Sequence, residues 1–170
     1  MSHINIEIKA RCADPAKVRA ILRERKADFK GADRQTDTYF NAPNGRLKLR
    51  QGDIENTLIY YRRPDAAGPK EAQVHLYPLA DGAALKQLLA AALGIRKVVR
   101  KQREIYFIGN VKFHIDAVDG LGEFVEIEAI DAAGRLGRAR LLRQCREYME
   151  LFGISQKDLV SGSYSDMPTS

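Results

Sequence analysis

The sequence predicts an α+β fold in which mostly antiparallel strands form a barrel or a strongly curved sheet. Segments that alternate polar and apolar residues recur along the 170-residue chain, as expected for strands with one buried face. Only three segments have helical spacing, so no helix separates each strand from the next, as a parallel sheet would require. Turn sequences such as Val118-Asp119-Gly120 join neighbouring strands as hairpins.

The first half of the chain contains one helix and five predicted strands. Residues 3–11 alternate strictly between apolar and polar side chains and form the first strand. Asp14 and Pro15 then predict the start of a helix that runs to about residue 27. The next four strands are expected at residues 34–41, 46–51, 56–63 and 70–78.

The second half contains two helices, three strands and a polar tail. A helix is expected from Asp81 to a glycine cap at Gly94. Strands follow at residues 98–108, 111–118 and 122–130, and a last helix at about 135–152. The tail, residues 154–170, either closes one mouth of the barrel through Tyr164 or frays. The length suits a single domain over residues 1–170.

Composition narrows the class of partner and the compartment. The net charge of +6 and the pI of about 9.4 favour an anionic partner, namely nucleic acid, a phosphorylated small molecule or a membrane face. Cys12, Cys145 and the scattered histidines make no zinc pattern, and we expect two reduced thiols. No segment has the apolar length of a membrane span or the pattern of a signal peptide, so a cytoplasmic protein without a membrane partner is expected.

Charged side chains repeat at every second residue of several predicted strands. These stripes are Glu7, Lys9 and Arg11; Arg46, Lys48 and Arg50; Lys101 and Arg103; Lys112, His114 and Asp116; and Glu126 and Glu128. The opposite faces are apolar and can pack against the amphipathic helices, so the stripes are expected to face one another across a lumen. Residues 98–108 fit least well, because their other face is also polar. A solvated charged face on an open sheet is the alternative.

A lumen of this kind suits a polyanion together with its metal ion. Buried charges are costly unless they are paired or bind ions. Lysine and arginine neutralise phosphate oxygens, and carboxylates hold a hard cation such as Mg²⁺ or Mn²⁺.

Motifs in the same order along the chain resemble the CYTH superfamily, the triphosphate tunnel metalloenzymes. The matching segments are Asn5-Ile6-Glu7-Ile8-Lys9 (ExExK), Gln35 to Phe40 (QxDxYF), Leu47-Lys48-Leu49-Arg50 (LRLR), Tyr61-Arg62-Arg63-Pro64 (YKRP), Lys101 and Arg103 (KxR), Asp116 with residues 122–128 (D…LGxFxExE), and Ser163-Tyr164-Ser165-Asp166 (SYxD). Any one match is weak, whereas the ordered set covers nearly the whole chain. Within these segments, the amino-acid sequence is most similar to that of class IV adenylyl cyclase-like proteins.

The resemblance implies an eight-stranded antiparallel β-barrel, or tunnel, with helices packed on the outside, and chemistry that depends on Mg²⁺ or Mn²⁺. The implied metal residues are Glu7, Asp116, Glu126 and Glu128, and the implied catalytic residues are Glu7, Lys9 and Glu126. The implied triphosphate-binding residues are Lys9, Arg11, Lys48, Arg50, Arg62, Lys101 and Arg103. The phase of this strand is uncertain, so either Arg62 or Arg63 could be the arginine that faces the lumen. Asn5 stands where the family usually has glutamate, so metal affinity or stoichiometry is expected to change.

Two reactions and one binding role are compatible with these residues. A class IV cyclase would convert ATP to cyclic AMP and pyrophosphate, whereas a triphosphatase would hydrolyse thiamine triphosphate, inorganic triphosphate or nucleotides. The third reading is a polyanion-binding or RNA-binding module without turnover. The interleaved carboxylates would repel a nucleic acid backbone, so no nucleic acid partner is expected. The resemblance also implies a possible homodimer, and His75 and His114 are expected to be lumen-lining or structural.

Overall fold

Eight antiparallel strands close into a barrel, and three helices lie outside it. A computed structural model of the chain describes residues 2–169. The strands are β1 (Ser2–Arg11), β2 (Asp28–Phe40), β3 (Arg46–Gln51), β4 (Asn56–Arg62), β5 (Lys70–Pro78), β6 (Ile95–Ile108), β7 (Val111–Val118) and β8 (Gly122–Asp131). The helices are α1 (Pro15–Glu24), α2 (Ala83–Leu93) and α3 (Arg138–Phe152). The order β1-β5-β4-β3-β2-β6-β7-β8 returns to β1, which confirms the predicted α+β barrel over an open sheet.

Two strands are longer than local alternation predicts. β2 begins at Asp28 rather than residue 34, and β6 begins at Ile95 rather than residue 98. The two strands pair with each other over nearly their full lengths, from Asp28 opposite Phe107 to Phe40 opposite Ile95. This long-range pairing extends both strands beyond their alternating segments.

The apolar core lies between the outer surface of the barrel and two of the helices. The outward residues of β1, β7 and β8 pack against α1 and α3, and Phe113 stacks edge-on against Tyr148 and Phe152. The buried core residues include Ile6, Ile8, Val18, Leu22, Phe113, Ile115, Val125, Ile127, Leu141, Cys145 and Phe152. Full burial of each large apolar side chain contributes roughly 1.5–3 kcal/mol. The core therefore leaves the inward face of these strands to other residues.

The outer surface is covered unevenly. On β6, Arg100 and Gln102 are exposed, and Glu104 binds Arg19 of α1 through two 2.8 Å hydrogen bonds, which explains the polar outer face seen in the sequence. α2 has no fully buried residue. Within residues 2–169, none of the helices combines the length and apolar character that a membrane span requires.

The C-terminal tail closes one end of the barrel instead of fraying. It contains two short 3-10 turns, Gln156–Asp158 and Tyr164–Asp166. The Val160 amide donates a 2.9 Å hydrogen bond to the carbonyl of Lys9 in β1. Tyr164 is only 2% exposed and stacks edge-on against Phe124 of β8. The tail is therefore part of the wall that surrounds the lumen.

Candidate active site

Most residues of the charged stripes line a cavity of about 200 Å³ inside the barrel, whereas Arg11, Arg46 and Asp116 are not among its lining residues. Strand alternation causes this arrangement, because each residue beside an outward core residue points inward. Of the predicted site residues, Glu7, Lys9, Lys48, Arg50, Lys101, Arg103, Glu126 and Glu128 line the cavity. Carboxylates and cations therefore share one enclosed space.

Asp37 of β2 holds the basic wall together. Its carboxylate accepts two 2.9 Å hydrogen bonds from the Arg50 guanidinium and one 2.7 Å bond from Lys101. The Lys48 ammonium lies 3.1 Å from the same carboxylate. Burial opposes ionisation of Asp37, but these three cations outweigh it and keep its pKa well below the usual range. The cations are thus held in place before any anion binds.

A second set of ion pairs lies at the boundary between the basic and acidic walls. Arg103 donates to both carboxylate oxygens of Asp116, at 2.7 and 2.6 Å, and to Glu126 at 3.3 Å. Lys9 lies 3.5 Å from Glu126 and has its ammonium 3.6 Å from the ring centre of Tyr164. The Tyr164 hydroxyl donates to Asp116 at 2.7 Å. Asp116 is therefore occupied as a partner of Arg103 and Tyr164.

His114, Glu126 and Glu128 form the cluster that could hold a metal ion. One ligand atom from each lies within 4.8 Å of the others. Burial, together with the charges of Glu7 and Glu126, raises the pKa of Glu128 to about 7. Burial and the nearby Arg103 lower the pKa of His114 to about 3, so its imidazole is neutral. Two carboxylates and a neutral imidazole fit a divalent cation.

Two other predicted metal residues lie outside that cluster. Glu7 pairs with Glu128 across β1 and β8, but its carboxylate lies 3.2 Å from the Arg63 guanidinium. Asp116 is bound by Arg103, as described above. Asn5 also lines the cavity, and its buried Oδ1 has no hydrogen-bond partner within residues 2–169. An amide oxygen without a hydrogen-bond partner in this position is a further oxygen ligand that a cation could use.

Arg11 and Arg62 lie away from the cavity that their predicted role requires. Arg11 is exposed and donates a 3.2 Å hydrogen bond to the Leu121 carbonyl. Arg62 is exposed on the outside because Tyr61 takes the inward position on β4. Arg63, just beyond the end of the strand, turns inward and lines the cavity. The placement of Arg62 in the lumen is therefore corrected in favour of Arg63.

Sequence reasoning assigned no role to several residues of the lumen. Glu55 lies between β3 and β4 and accepts from Arg50 at 3.1 Å and from Gln35 at 3.2 Å, and it also bonds to Lys112. Glu55 lies in phase with the inward residues Thr57, Ile59 and Tyr61 of β4, but that strand has apolar side chains on both faces, so the sequence does not show which face is inward. Asp37 could have been found, because it lies in phase with Gln35 on one face of its strand.

His75 and His114 lie on opposite sides of the barrel wall. His114 lines the cavity, whereas His75 is exposed on β5 and packs against Tyr60 with 5.8 Å between ring centres. His114 thus agrees with the expected lumen-lining position, and His75 is a surface residue.

Known proteins resemble the chain over nearly its whole length. A family model described as the CYTH domain matches residues 3–164. A curated protein of Methanocaldococcus jannaschii, named "Putative adenylate cyclase MJ0240", is 27% identical over 96% of this chain and 98% of its own length. The solved structure of PH1012 protein from Pyrococcus horikoshii OT3 has a TM-score of 0.79 at 21% identity and covers 95% of this chain and 98% of that one.

A plant structure extends the comparison at lower identity. HpAC1 from Hippeastrum, described as a "putative adenylyl cyclase" with a dominant triphosphatase activity, has a TM-score of 0.61 at 12% identity. The match covers 96% of this chain and 92% of that one. At these identities the two solved structures establish a shared fold.

Proposed function

The chain belongs to the CYTH family, and we propose that it is a metal-dependent enzyme of the class IV adenylyl cyclase type, converting ATP to cyclic AMP and pyrophosphate. CYTH tunnel proteins bind triphosphates and use divalent metals. The named relative from Methanocaldococcus jannaschii supports the cyclase reading.

One observation supports the proposal above all others: a cationic wall and a carboxylate cluster face the same enclosed cavity. Lys48, Arg50 and Lys101 present positive charge on one side, and Glu126 and Glu128 lie on the other. A triphosphate is a chain of anionic groups, so a lumen of this kind can bind it along its length.

The protein's own residues supply positioning and charge stabilisation. Phosphoryl transfer depends on these two effects more than on covalent chemistry by the protein. Asp37 and Asp116 keep the cations oriented, and Lys9 and Arg103, which reach Glu126, can neutralise charge where the phosphates meet the acidic cluster. The tail residue Tyr164 limits water entry at one end. A divalent ion bound by Glu126 and Glu128 would lower the pKa of the attacking hydroxyl or water.

Triphosphate hydrolysis is the second candidate, and the size of the cavity favours it. A volume of about 200 Å³ is below the ~300–1,000 Å³ typical of small-molecule sites. A lumen of this volume therefore suits a phosphate chain better than a whole nucleotide. The dominant triphosphatase activity described for HpAC1 supports the same alternative.

Product analysis separates these candidates. Purified protein is incubated with ATP, thiamine triphosphate or inorganic triphosphate and Mg²⁺ or Mn²⁺, and the products are identified by mass. Cyclic AMP with pyrophosphate supports the cyclase, whereas diphosphate products with phosphate support the hydrolase. Absence of turnover with every metal would contradict both and favour the polyanion-binding or RNA-binding module.

Matched variants test whether the lumen is the site. Glu126→Gln and Lys101→Ala are expected to abolish turnover, because each removes a charge from the cavity wall. Glu123→Gln, on the exposed side of the same strand as Glu126, is expected to keep full activity. Full activity in both lumen variants would mean that the reaction occurs elsewhere.

We also propose a single domain over residues 1–170, a cytoplasmic location, a homodimer, and the absence of nucleic acid and membrane partners.

A further inference from the structure

His114 is a buried polar residue without a well-formed hydrogen bond. Its exposure is 1%, its Nε2 has no hydrogen-bond partner within residues 2–169, and its Nδ1 has only a long 3.5 Å contact with Glu126. A buried polar group without a partner costs roughly 1–3 kcal/mol, so a native structure rarely keeps one without a reason. In the sheet His114 lies between Ile105 of β6, whose side chain can supply no hydrogen bond, and Glu126 of β8.

The Nδ1 atom of this ring points toward the carboxylate cluster. It lies 3.5 Å from Glu126 Oε2 and 3.7 Å from Glu128 Oε1. Two protein ligands of one transition-metal ion each lie roughly 2.0–2.2 Å from it, and atoms separated by 3.5–3.7 Å can share an ion at those distances. This nitrogen and the two carboxylates thus converge on one point of the lumen.

The charge of the lumen around Glu126 and Glu128 also favours a metal ion that binds nitrogen ligands. Asn5 supplies a neutral amide oxygen where the resembling signature has a carboxylate, so fewer negative charges are available to a hard cation. Mg²⁺ binding depends on charged and water oxygens, whereas first-row transition metals gain affinity from imidazole. Replacing a carboxylate by an amide weakens the first kind of binding more than the second.

We propose that His114 is a nitrogen ligand of the divalent ion held by Glu126 and Glu128, so that the lumen selects a first-row transition-metal ion over Mg²⁺. This inference rests on the proposed metal-dependent function, but it concerns the identity of the ion and not the reaction. It assigns a binding role to a residue that the triphosphate clamp does not use.

Pulsed electron paramagnetic resonance on bound Mn²⁺ tests the ligand directly. Metal-stripped protein is loaded with Mn²⁺, with and without inorganic triphosphate, and nitrogen modulation from a directly bound imidazole is recorded. Protein labelled with ¹⁵N only at histidine is expected to change the modulation, which identifies the nitrogen as histidine. His114→Gln is expected to abolish it, whereas His3→Gln, at another cavity-lining histidine, is expected to preserve it.

Calorimetric titration tests the selectivity. The unmodified protein is expected to bind Mn²⁺ at least tenfold more tightly than Mg²⁺. His114→Gln is expected to weaken Mn²⁺ binding roughly ten- to a hundredfold, in the range seen when metal-site support is removed, and to change Mg²⁺ binding less than threefold. Circular dichroism checks that the variant folds, and the labelling experiment on the unmodified protein does not depend on it.

The outcomes that overturn the inference differ from those that overturn the proposed function. Absent histidine modulation, equal losses for both ions in His114→Gln, or no metal binding with or without triphosphate would each refute the nitrogen ligand. Histidine modulation in a protein without triphosphate turnover would support the ligand and contradict the enzyme.

Discussion

At the scale of single residues, Asp37 is the counter-charge that allows three cations to share one wall. Lys48, Arg50 and Lys101 would repel one another in a buried space, and Asp37 contacts all of them. A triphosphate would supply further negative charge to the same cations. Asp37 therefore determines both the stability of the empty lumen and its readiness for an anion.

Asp37→Asn is expected to lower the free energy of unfolding by about 3–5 kcal/mol, because removing one partner leaves buried charges uncompensated. Inorganic triphosphate is expected to raise the melting temperature of this variant more than that of the unmodified protein, since the anion replaces the lost charge. Thermal unfolding with and without the anion measures both effects. Asp53→Asn, at an exposed ion pair with Arg34, is the control, and equal behaviour of the two variants would contradict the role of Asp37.

Arg62, at the end of β4, and Arg63, just beyond it, provide a second test at this scale. Arg63→Ala is expected to weaken triphosphate binding about ten- to a hundredfold, because a charge-assisted contact is worth about 1.5–3 kcal/mol. Arg62→Ala is expected to leave binding unchanged, since Arg62 is exposed outside the lumen. Calorimetric titration with inorganic triphosphate gives both affinities. The reverse ranking would show that the inward arginine is misassigned.

These residues also show where sequence-based prediction of the site succeeds and fails. Alternation places Lys9, Arg50 and Glu126 correctly, because regular strands fix the direction of each side chain. Arg63 and Glu55 lie just outside β4 and in phase with its inward residues, but β4 has apolar side chains on both faces, so the sequence alone does not show which face is inward. The pairing of Asp37 with Arg50 follows from the register of β2 and β3, whereas its contact with Lys101 depends on the long-range pairing of β2 with β6, which no local pattern encodes.

At the scale of elements, the C-terminal tail is fixed by Lys70 of β5. The Lys70 ammonium donates hydrogen bonds to the carbonyls of Ala66, Val160 and Ser161 at 2.9, 3.2 and 3.0 Å. Two of these acceptors belong to the tail, and one belongs to the loop before β5. The contact joins the tail to the barrel beside the lumen.

Lys70→Met is expected to destabilise the protein by about 2 kcal/mol, since three carbonyls lose a charged donor. Faster amide hydrogen exchange is expected at residues 160–166, because the tail opens more often. Lys157→Met, at an exposed position in the same tail, is expected to change neither quantity. Unchanged exchange in Lys70→Met would mean that other contacts hold the tail.

The elements themselves are predictable to different degrees. The eight strands and three helices are recognisable from periodicity, and the cap formed by Asp14, which accepts from the Lys17 amide at 3.1 Å, marks the start of α1. The extra length of β2 and β6 comes from their mutual pairing. The tail has no periodic signal, so its docking could be named only as one of two outcomes.

At the scale of the whole molecule, the main apolar core lies outside the barrel and most of the charged residues lie inside it. β1 contributes to both, with Ile8 in the outer core and Lys9 in the lumen, whereas the lumen faces of β4 and β5 are apolar at Ile59, Tyr61, Ala72 and Val74. Loss of the outer packing would therefore also disperse the charged residues. The two regions are expected to unfold together.

Far-UV circular dichroism and tyrosine fluorescence are expected to report one coincident unfolding transition. The protein has no tryptophan, so the lumen residues Tyr39, Tyr61 and Tyr164 contribute to the fluorescence. Inorganic triphosphate at a hundred times its dissociation constant is expected to shift both signals equally, by about 2.7 kcal/mol. Two separate transitions would show that the lumen can open while the outer core stays intact.

The alternation of core and lumen residues along one strand has an evolutionary consequence. Asn5 and His114 can be exchanged by point mutation while their neighbours Ile6 and Ile115 keep the helices attached. Proteins that descend from one such barrel can therefore change their catalytic preference by substitutions in the lumen, without an ancestral variant that fails to fold. Homologues with a common scaffold and divergent reactions are the expected product of that inheritance.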